Sequence, residues 1–153
     1  VLALEILEKF LLGSNKIYER MLDIGVGSGI LSIAACRLGV KEVMGVDIEQ
    51  KSIEELEKNT RINGLDGRIK AEVGNPSLLK DSVSLIICNM ILCELFSIRY
   101  DLKRLTNEGG VLICSGILAG QEHELRTEFF QLGFNFCNKL ERENWCAIQF
   151  KKI

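Results

Sequence analysis

The order of apolar segments is the feature of this sequence that most limits its fold. Short apolar segments typical of β-strands alternate with segments whose apolar residues recur at helical spacing. Alternation of this kind indicates a single α/β domain built on a parallel sheet. The predicted strands cover residues 20–24, 42–47, 68–73, 83–88 and 111–115, and the predicted helices cover 2–12, 29–38, 91–105 and 120–132, with a further helix that opens at a Ser52–Glu55 capping box and ends near Gly64.

The segments after residue 80 refine this prediction. Residues 83–88 are continuously apolar after Ser84, which suits a strand covered on both faces. The run 107–110 has the composition of a turn. Two last strands, near 134–140 and 145–151, are joined by a short polar turn and favour an antiparallel hairpin. We therefore predict an α/β fold with a doubly wound, mostly parallel seven-stranded sheet that ends in a C-terminal antiparallel hairpin.

Composition excludes several classes of protein. The 153 residues carry a formal net charge of −2, which argues against a generally basic nucleic-acid binder. No apolar run approaches the roughly 18 residues that a membrane-spanning helix needs. The six cysteines form no C-x-x-C pair and the chain has one histidine, so we predict no metal site. We expect buried free thiols and a cytoplasmic protein. Because the first residue is Val1 and not Met, we also expect the sequence to be a fragment.

A glycine-rich turn follows the first predicted strand. Glycines stand at positions 25, 27 and 29, and Asp23 precedes them by two residues. Glycine permits positive φ and leaves no Cβ between the backbone and a ligand. The dinucleotide fingerprint requires glycine at the sixth position, where this chain has Ile30, and no Gly-Lys-Ser/Thr of a P-loop follows. The turn therefore predicts a ligand site of another kind.

Polar side chains also follow the second, third and fourth predicted strands. Asp47 ends the second strand and could accept hydrogen bonds from both hydroxyls of a ribose. Ile48 could press on one face of an adenine, and the amide of Asn75 could meet the adenine edge. Asn89 ends the fourth strand. Ligands of open α/β sheets bind outside the carboxyl ends of the strands, so these residues together predict a nucleoside-containing cofactor.

Longer motifs give the sequence a family resemblance. These motifs are Asp23-Ile24-Gly25-Val26-Gly27-Ser28-Gly29, Gly45-Val46-Asp47-Ile48, Asn89-Met90-Ile91-Leu92 and Ser115-Gly116-Ile117-Leu118, together with Trp145. On these motifs, which span nearly the whole chain, the sequence resembles the class I S-adenosylmethionine-dependent methyltransferases, whose fold is Rossmann-like. Within that class it resembles most closely the PrmA family, which methylates a large-subunit ribosomal protein on amino groups. The resemblance implies that residues 1–153 form one S-adenosylmethionine-binding domain and that the family's N-terminal substrate domain is absent.

The resemblance also implies roles for individual residues. Asn89 would orient the incoming amine as the catalytic residue and would also contact the cofactor. The other cofactor-binding residues would be Asp23, Gly25, Val26, Gly27, Gly29, Asp47, Ile48 and Asn75, with backbone amides of Gly25 and Gly27 approaching the methionine part. The position of Asn75 is usually Asp in this class, so a charge is lost there.

Several functions stay open at this point. The substrate implied by the resemblance is a protein, with a ribosomal protein as the family example, and a small-molecule amine is the other candidate. We do not expect a nucleic-acid or membrane partner. A non-catalytic cofactor-binding or interaction module of the same fold is the alternative from another class, and an NAD-dependent oxidoreductase is disfavoured by the glycine spacing.

Overall fold

A single seven-stranded sheet forms the centre of the protein, described for residues 1–153 by a computed structural model. The strands are β1 (Arg20–Ile24), β2 (Glu42–Asp47), β3 (Ile69–Val73), β4 (Val83–Asn89), β5 (Thr106–Leu118), β6 (Phe134–Arg142) and β7 (Trp145–Lys152). Their spatial order is β3-β2-β1-β4-β5-β7-β6. Strands β1 to β5 pair in parallel, whereas β7 pairs antiparallel with both β5 and β6. The predicted fold class is confirmed.

Six helices cover the two faces of the sheet. They are α1 (Leu2–Gly13), α2 (Ile30–Arg37), α3 (Gln50–Ile62), α4 (Leu92–Ser97), α5 (Arg99–Leu105) and α6 (Glu122–Gln131). One apolar core lies under α1, α2 and α3, and a second lies under α4, α5 and α6. In β4, Leu85 and Ile87 enter the first core while Ile86 and Cys88 enter the second. This two-sided burial explains the continuous apolar run in the sequence.

Two predicted helices differ from the structure. Helix α3 begins at Gln50 and not at a Ser52–Glu55 capping box, because Glu49 is its N-cap and the Asp47 carboxylate accepts the Glu49 amide at 3.0 Å. The predicted helix over 91–105 is two helices, since the chain leaves helical geometry at Ile98, where φ is −108° and ψ is 8°. Both differences lie next to the carboxyl edge of the sheet.

The turn predicted over 107–110 lies inside β5 instead. The strand absorbs these residues through an irregularity opposite β4, where the register shifts between Val83 and Leu85. Gly109 adopts a φ of 71° within this segment. The predicted antiparallel hairpin is confirmed, and its two-residue connection has positive φ at Glu143 (50°) and Asn144 (67°). Positive φ at both positions is typical of a tight type I′ hairpin.

All six cysteines are free thiols. Four of them are buried, which agrees with the prediction for most of the cysteines, and Cys93 and Cys137 are exposed. Burial raises the pKa of Cys88 and Cys114, so both stay protonated in the core. No helix is both long and apolar enough to cross a membrane.

Asp23 is a carboxyl group buried in the sheet, 1% exposed, directly before the glycine turn. The Ser32 hydroxyl of α2 donates to its Oδ2 at 2.6 Å. Burial raises the pKa of Asp23 to about 7, the Ser32 hydrogen bonds oppose this rise, and the nearby Asp47 carboxylate adds to it. A group with a raised folded-state pKa stabilises the fold while it is protonated. That contribution is complete below the unfolded value and disappears as the pH rises to about 7.

We therefore predict that Asp23→Asn changes how stability depends on pH. The wild-type free energy of unfolding should fall relative to that of D23N between pH 5 and pH 8, because only the wild type must ionise a buried carboxyl group. Urea unfolding at both pH values measures the two differences. Asp66→Asn, at an exposed carboxylate, is the control. The raised pKa of Asp23 would be contradicted if the difference in free energy of unfolding between wild type and D23N were the same at pH 5 and at pH 8.

Candidate functional site

The glycine turn connects β1 to α2 at the carboxyl edge of the sheet and is fastened to the end of β2. The amide of Gly25 donates to the Val46 carbonyl at 2.8 Å, and the amide of Gly27 donates to Oδ2 of Asp47 at 3.0 Å. These two N–H groups therefore serve protein acceptors. The sequence predicts that the Gly25 and Gly27 amides approach a ligand, but in the structure both already donate within the protein. What Gly25 offers to a ligand is backbone that no Cβ covers. Its φ of 73° lies in the region that glycine tolerates best.

Three of the predicted site residues pack on the side of the turn that faces the protein interior. Asp23 is buried below it. Val26 is 6% exposed and packs against Gly45 of β2. Gly29 lies against α3 so closely that a Cβ there would approach Leu56 Cδ1 to 2.1 Å. Their contacts give these residues a structural part in the turn, and their contact with a ligand stays a prediction.

The Asp47 carboxylate stands at the centre of the site. Oδ2 accepts the Gly27 amide and Oδ1 accepts the Glu49 amide, both at 3.0 Å. An ionised carboxylate has about four acceptor positions, so both oxygens keep the capacity to accept a further hydrogen bond. The side chain is thus fixed in orientation and still able to bind a pair of ligand hydroxyls.

A cavity of about 390 Å³ opens beside the turn, and we call it the glycine-turn cavity. Its size is within the range of small-molecule and cofactor sites. It brings together five of the predicted residues, Gly25, Asp47, Ile48, Asn75 and Asn89. Its other lining residues are Ile24, Val46, Glu49, Ser52, Gly74, Pro76, Met90, Glu94, Ser97 and Ile98.

Two predicted adenine contacts have surfaces that suit the role. Ile48 is 73% exposed, which leaves one apolar face for a planar ring. Asn75 is the N-cap of a short 3₁₀ turn, and its Oδ1 accepts the Ser77 amide at 3.0 Å. The amide NH₂ of Asn75 and the second lone pair of Oδ1 stay available for hydrogen bonds to a base edge.

Sequence reasoning missed the wall that α4 supplies. Glu94, Ser97 and Ile98 line the glycine-turn cavity, and Oε2 of Glu94 accepts the Ile91 amide at 3.3 Å. An acid three residues after the cap position is a readable helix-start signal. The signal is obscured here because Ile91 is an unusual cap residue and the sequence pattern predicts a single helix over 91–105.

A second cavity, of about 370 Å³, lies between the start of α1 and the β6–β7 turn, and we call it the hairpin cavity. The ion pair from Arg142 to Glu5 (2.8 Å) joins its two sides. Half-exposed Trp145 forms part of one wall. The remaining lining residues are Val1, Leu2, Ala3, Asn89, Ser115, Gly116 and Glu143.

Asn89 lines both cavities. It ends β4, and its side chain is exposed. The side-chain amide makes no hydrogen bond within the protein. A ligand in the glycine-turn cavity and a second reactant in the hairpin cavity would therefore meet at this residue. His123, the one histidine, lies exposed on α6 and lines neither cavity.

Comparison with known proteins agrees with this architecture. The family model described as "Ribosomal protein L11 methyltransferase (PrmA)" matches residues 1–153. A ribosomal protein L11 methyltransferase from Brevibacillus brevis is 29% identical over 153 residues, which is 99% of this chain and 48% of that protein. The chain thus spans less than half the length of two curated relatives that it matches, 48% of one and 42% of the other.

Solved structures have the same fold. The crystal structure of a ribosomal protein L11 methylase from Lactobacillus delbrueckii subsp. bulgaricus superposes with a TM-score of 0.89 at 26% identity, covering 99% of this chain and 77% of that one. Magnesium protoporphyrin IX methyltransferase from Synechocystis PCC 6803, solved with bound SAM, superposes with a TM-score of 0.80 at 18% identity, covering 98% and 78%. The second likeness concerns the fold alone. With its sheet order, its glycine turn and a family match over every residue, this chain belongs to the PrmA family of ribosomal protein L11 methyltransferases.

Proposed function

We propose that residues 1–153 act as one catalytic domain that binds S-adenosylmethionine and transfers its methyl group to an amino group of ribosomal protein L11. The observation that carries this proposal is the position of Asn89, which lines two adjacent cavities at the carboxyl edge of the sheet. Family membership supports the reaction and the acceptor. The free thiols and a ribosomal substrate favour action in the cytoplasm.

The residues of the glycine-turn cavity fit the cofactor. A Cβ on Gly25 would lie 2.8 Å from Cε of Met90, so a side chain here would close the gap between the turn and the β4 end. Asp47 would bind the ribose hydroxyls through the lone pairs left free by its two backbone contacts. Ile48 and Asn75 would hold the adenine, and Gly25 would line the methionine part. The set is one carboxylate, one amide, one apolar face and open backbone, which matches the chemistry of a nucleoside with an amino-acid tail.

The catalytic work left to the protein is mainly orientation. S-adenosylmethionine, when bound, supplies an electrophilic methyl group on its sulfonium. The side-chain carbonyl oxygen of Asn89 would accept a hydrogen bond from an N–H of the acceptor amine. This would direct the lone pair of the amine nitrogen into the glycine-turn cavity. Fixing two reactants in this way supplies much of the rate acceleration of a bimolecular reaction. We assign no general base, because solvent can take the proton that the amine loses.

The hairpin cavity would receive the acceptor amine. The face of Trp145 offers an apolar surface for an aliphatic chain and attracts a cation that approaches it. Glu143, at the tip of the hairpin, adds a negative charge near the opening. The positive charge of Arg142 in the same wall is paired with Glu5, so the Trp145 face and Glu143 favour an amine over an acidic or phosphate-bearing acceptor.

One prediction from this proposal concerns cofactor binding. Asp47→Ala should weaken binding of S-adenosylmethionine and of S-adenosylhomocysteine by about tenfold or more, because hydrogen bonds to a charged group are lost. Isothermal titration measures both affinities. Asp66→Ala is the matched control at an exposed carboxylate, and Asp47→Asn, which keeps an acceptor oxygen, should lose less. Wild-type affinity in D47A would remove Asp47 from the cofactor site.

Another prediction from this proposal concerns the rate of methyl transfer. Asn89→Ala should lower kcat about 100-fold, because the amine loses the group that orients it. Transfer of labelled methyl groups to purified ribosomal protein L11 measures the rate. Asn89→Asp keeps an acceptor oxygen and should retain more activity, and Asn138→Ala, at an exposed asparagine of β6, should behave as wild type.

The same assay separates the proposal from its alternatives. Wild-type protein that binds S-adenosylmethionine but methylates neither ribosomal protein L11 nor free lysine would be a binding module, and the proposed reaction would be wrong. Transfer to free lysine alone would indicate a small-molecule methyltransferase.

A further inference from the structure

Gly116 directly follows Ser115, the last residue of β5 that pairs with β4, and it lines the hairpin cavity. Opposite β7, Ser115 pairs with Ala147 and Ile117 pairs with Cys146, so Gly116 is an extra residue in β5 without a partner. Its φ is 86°, in the left-handed region. An inserted glycine with this conformation is a β-bulge, a device that bends a strand and re-aims the residues beside it.

The bulge touches the residue that follows Asn89. The Met90 amide donates to the Ser115 carbonyl at 2.9 Å. A Cβ on Gly116 would lie 3.0 Å from both the nitrogen and the oxygen of Met90 and 3.1 Å from its carbonyl carbon. These are backbone atoms, which cannot swing aside as a flexible side chain can. The position of the Asn89–Met90 backbone therefore depends on residue 116 having no side chain.

The same bulge sets the far wall of the hairpin cavity. Beyond Gly116 the register with β7 is displaced by one residue, so Leu118 comes to pair with Trp145. Asn89, Gly116 and Trp145 all line this cavity. The inserted glycine therefore fixes the distance across the hairpin cavity between the side-chain amide of Asn89 and the indole of Trp145.

We propose that Gly116 is a positioning residue for methyl transfer, which holds Asn89 and Trp145 at the separation that the acceptor amine requires. This inference rests on the proposed function. Gly116 does not line the glycine-turn cavity, and Asp47, Ile48 and Asn75, which would hold the cofactor, lie at or just after the ends of other strands. Its main effect should therefore fall on the turnover of bound reactants, with only a small effect on cofactor binding through Met90.

The test compares two glycines of the same strand. Gly116→Ala introduces the Cβ against Met90, whereas Gly109→Ala is the matched control: it has a similar φ of 71°, but a Cβ there meets nothing within 4 Å. Both substitutions strain the backbone, and only the first moves Met90. We expect G116A to lower kcat for methylation of ribosomal protein L11 about tenfold. Its affinity for S-adenosylhomocysteine should stay within about twofold of wild type, and G109A should keep wild-type kcat.

A double variant tests whether Gly116 acts through Asn89. In an Asn89→Ala background, G116A should lower kcat by less than about threefold, because effects that share one cause are not additive. A Gly116→Asn variant keeps the Cβ but tolerates positive φ better than alanine does, so it serves if G116A does not fold.

The outcomes differ for the two proposals. No transfer by the wild type would overturn the proposed function. An active wild type with G116A and G116N at wild-type kcat would overturn the positioning role alone. The same conclusion would follow if both variants failed to bind S-adenosylhomocysteine, since Gly116 would then be needed for folding or for the cofactor site and not specifically for methyl transfer. Full additivity with N89A would show that Gly116 does not act through Asn89.

Discussion

The attachment of the glycine turn to the end of β2 is the interaction on which the rest of the site depends. Two adjacent residues of β2, Val46 and Asp47, accept hydrogen bonds from the turn, one through a backbone carbonyl and one through a carboxylate. The turn cannot move without moving the acid, and the acid cannot reorient without releasing an amide. A single arrangement therefore sets both the open backbone surface and the carboxylate that faces the glycine-turn cavity, before any ligand arrives.

The sequence predicted the carboxyl edge well because parallel topology leaves few choices there. Once the strands were recognised, Asp47, Asn75 and Asn89 had to meet at one edge, and all three line the glycine-turn cavity. The turn itself was harder to read. Its glycines look alike in the sequence, yet Gly29 is explained by its contact with Leu56, a residue 27 positions away along the chain whose approach only the packed structure reveals.

The parts that sequence reasoning missed depend on contacts between distant segments. The hairpin cavity exists because α1 lies against the β6–β7 hairpin, and Glu5 and Arg142, which join them, are 137 residues apart. The sequence around either residue gives no signal that predicts this ion pair. The start of α3 differs from the prediction for a local reason. The Asp47 side chain accepts the amide of Glu49, two residues later, so the helix begins before the predicted Ser52–Glu55 capping box.

The position of β7 has a consequence for how the sheet is completed. This strand follows β6 in the chain but lies between β5 and β6 in space. Strand β6 therefore has no neighbour in the sheet other than β7. During synthesis β6 emerges first and has no partner in the sheet until β7 follows. A chain stopped before β7 would lose two strands of the sheet and would leave β5 with a bare edge.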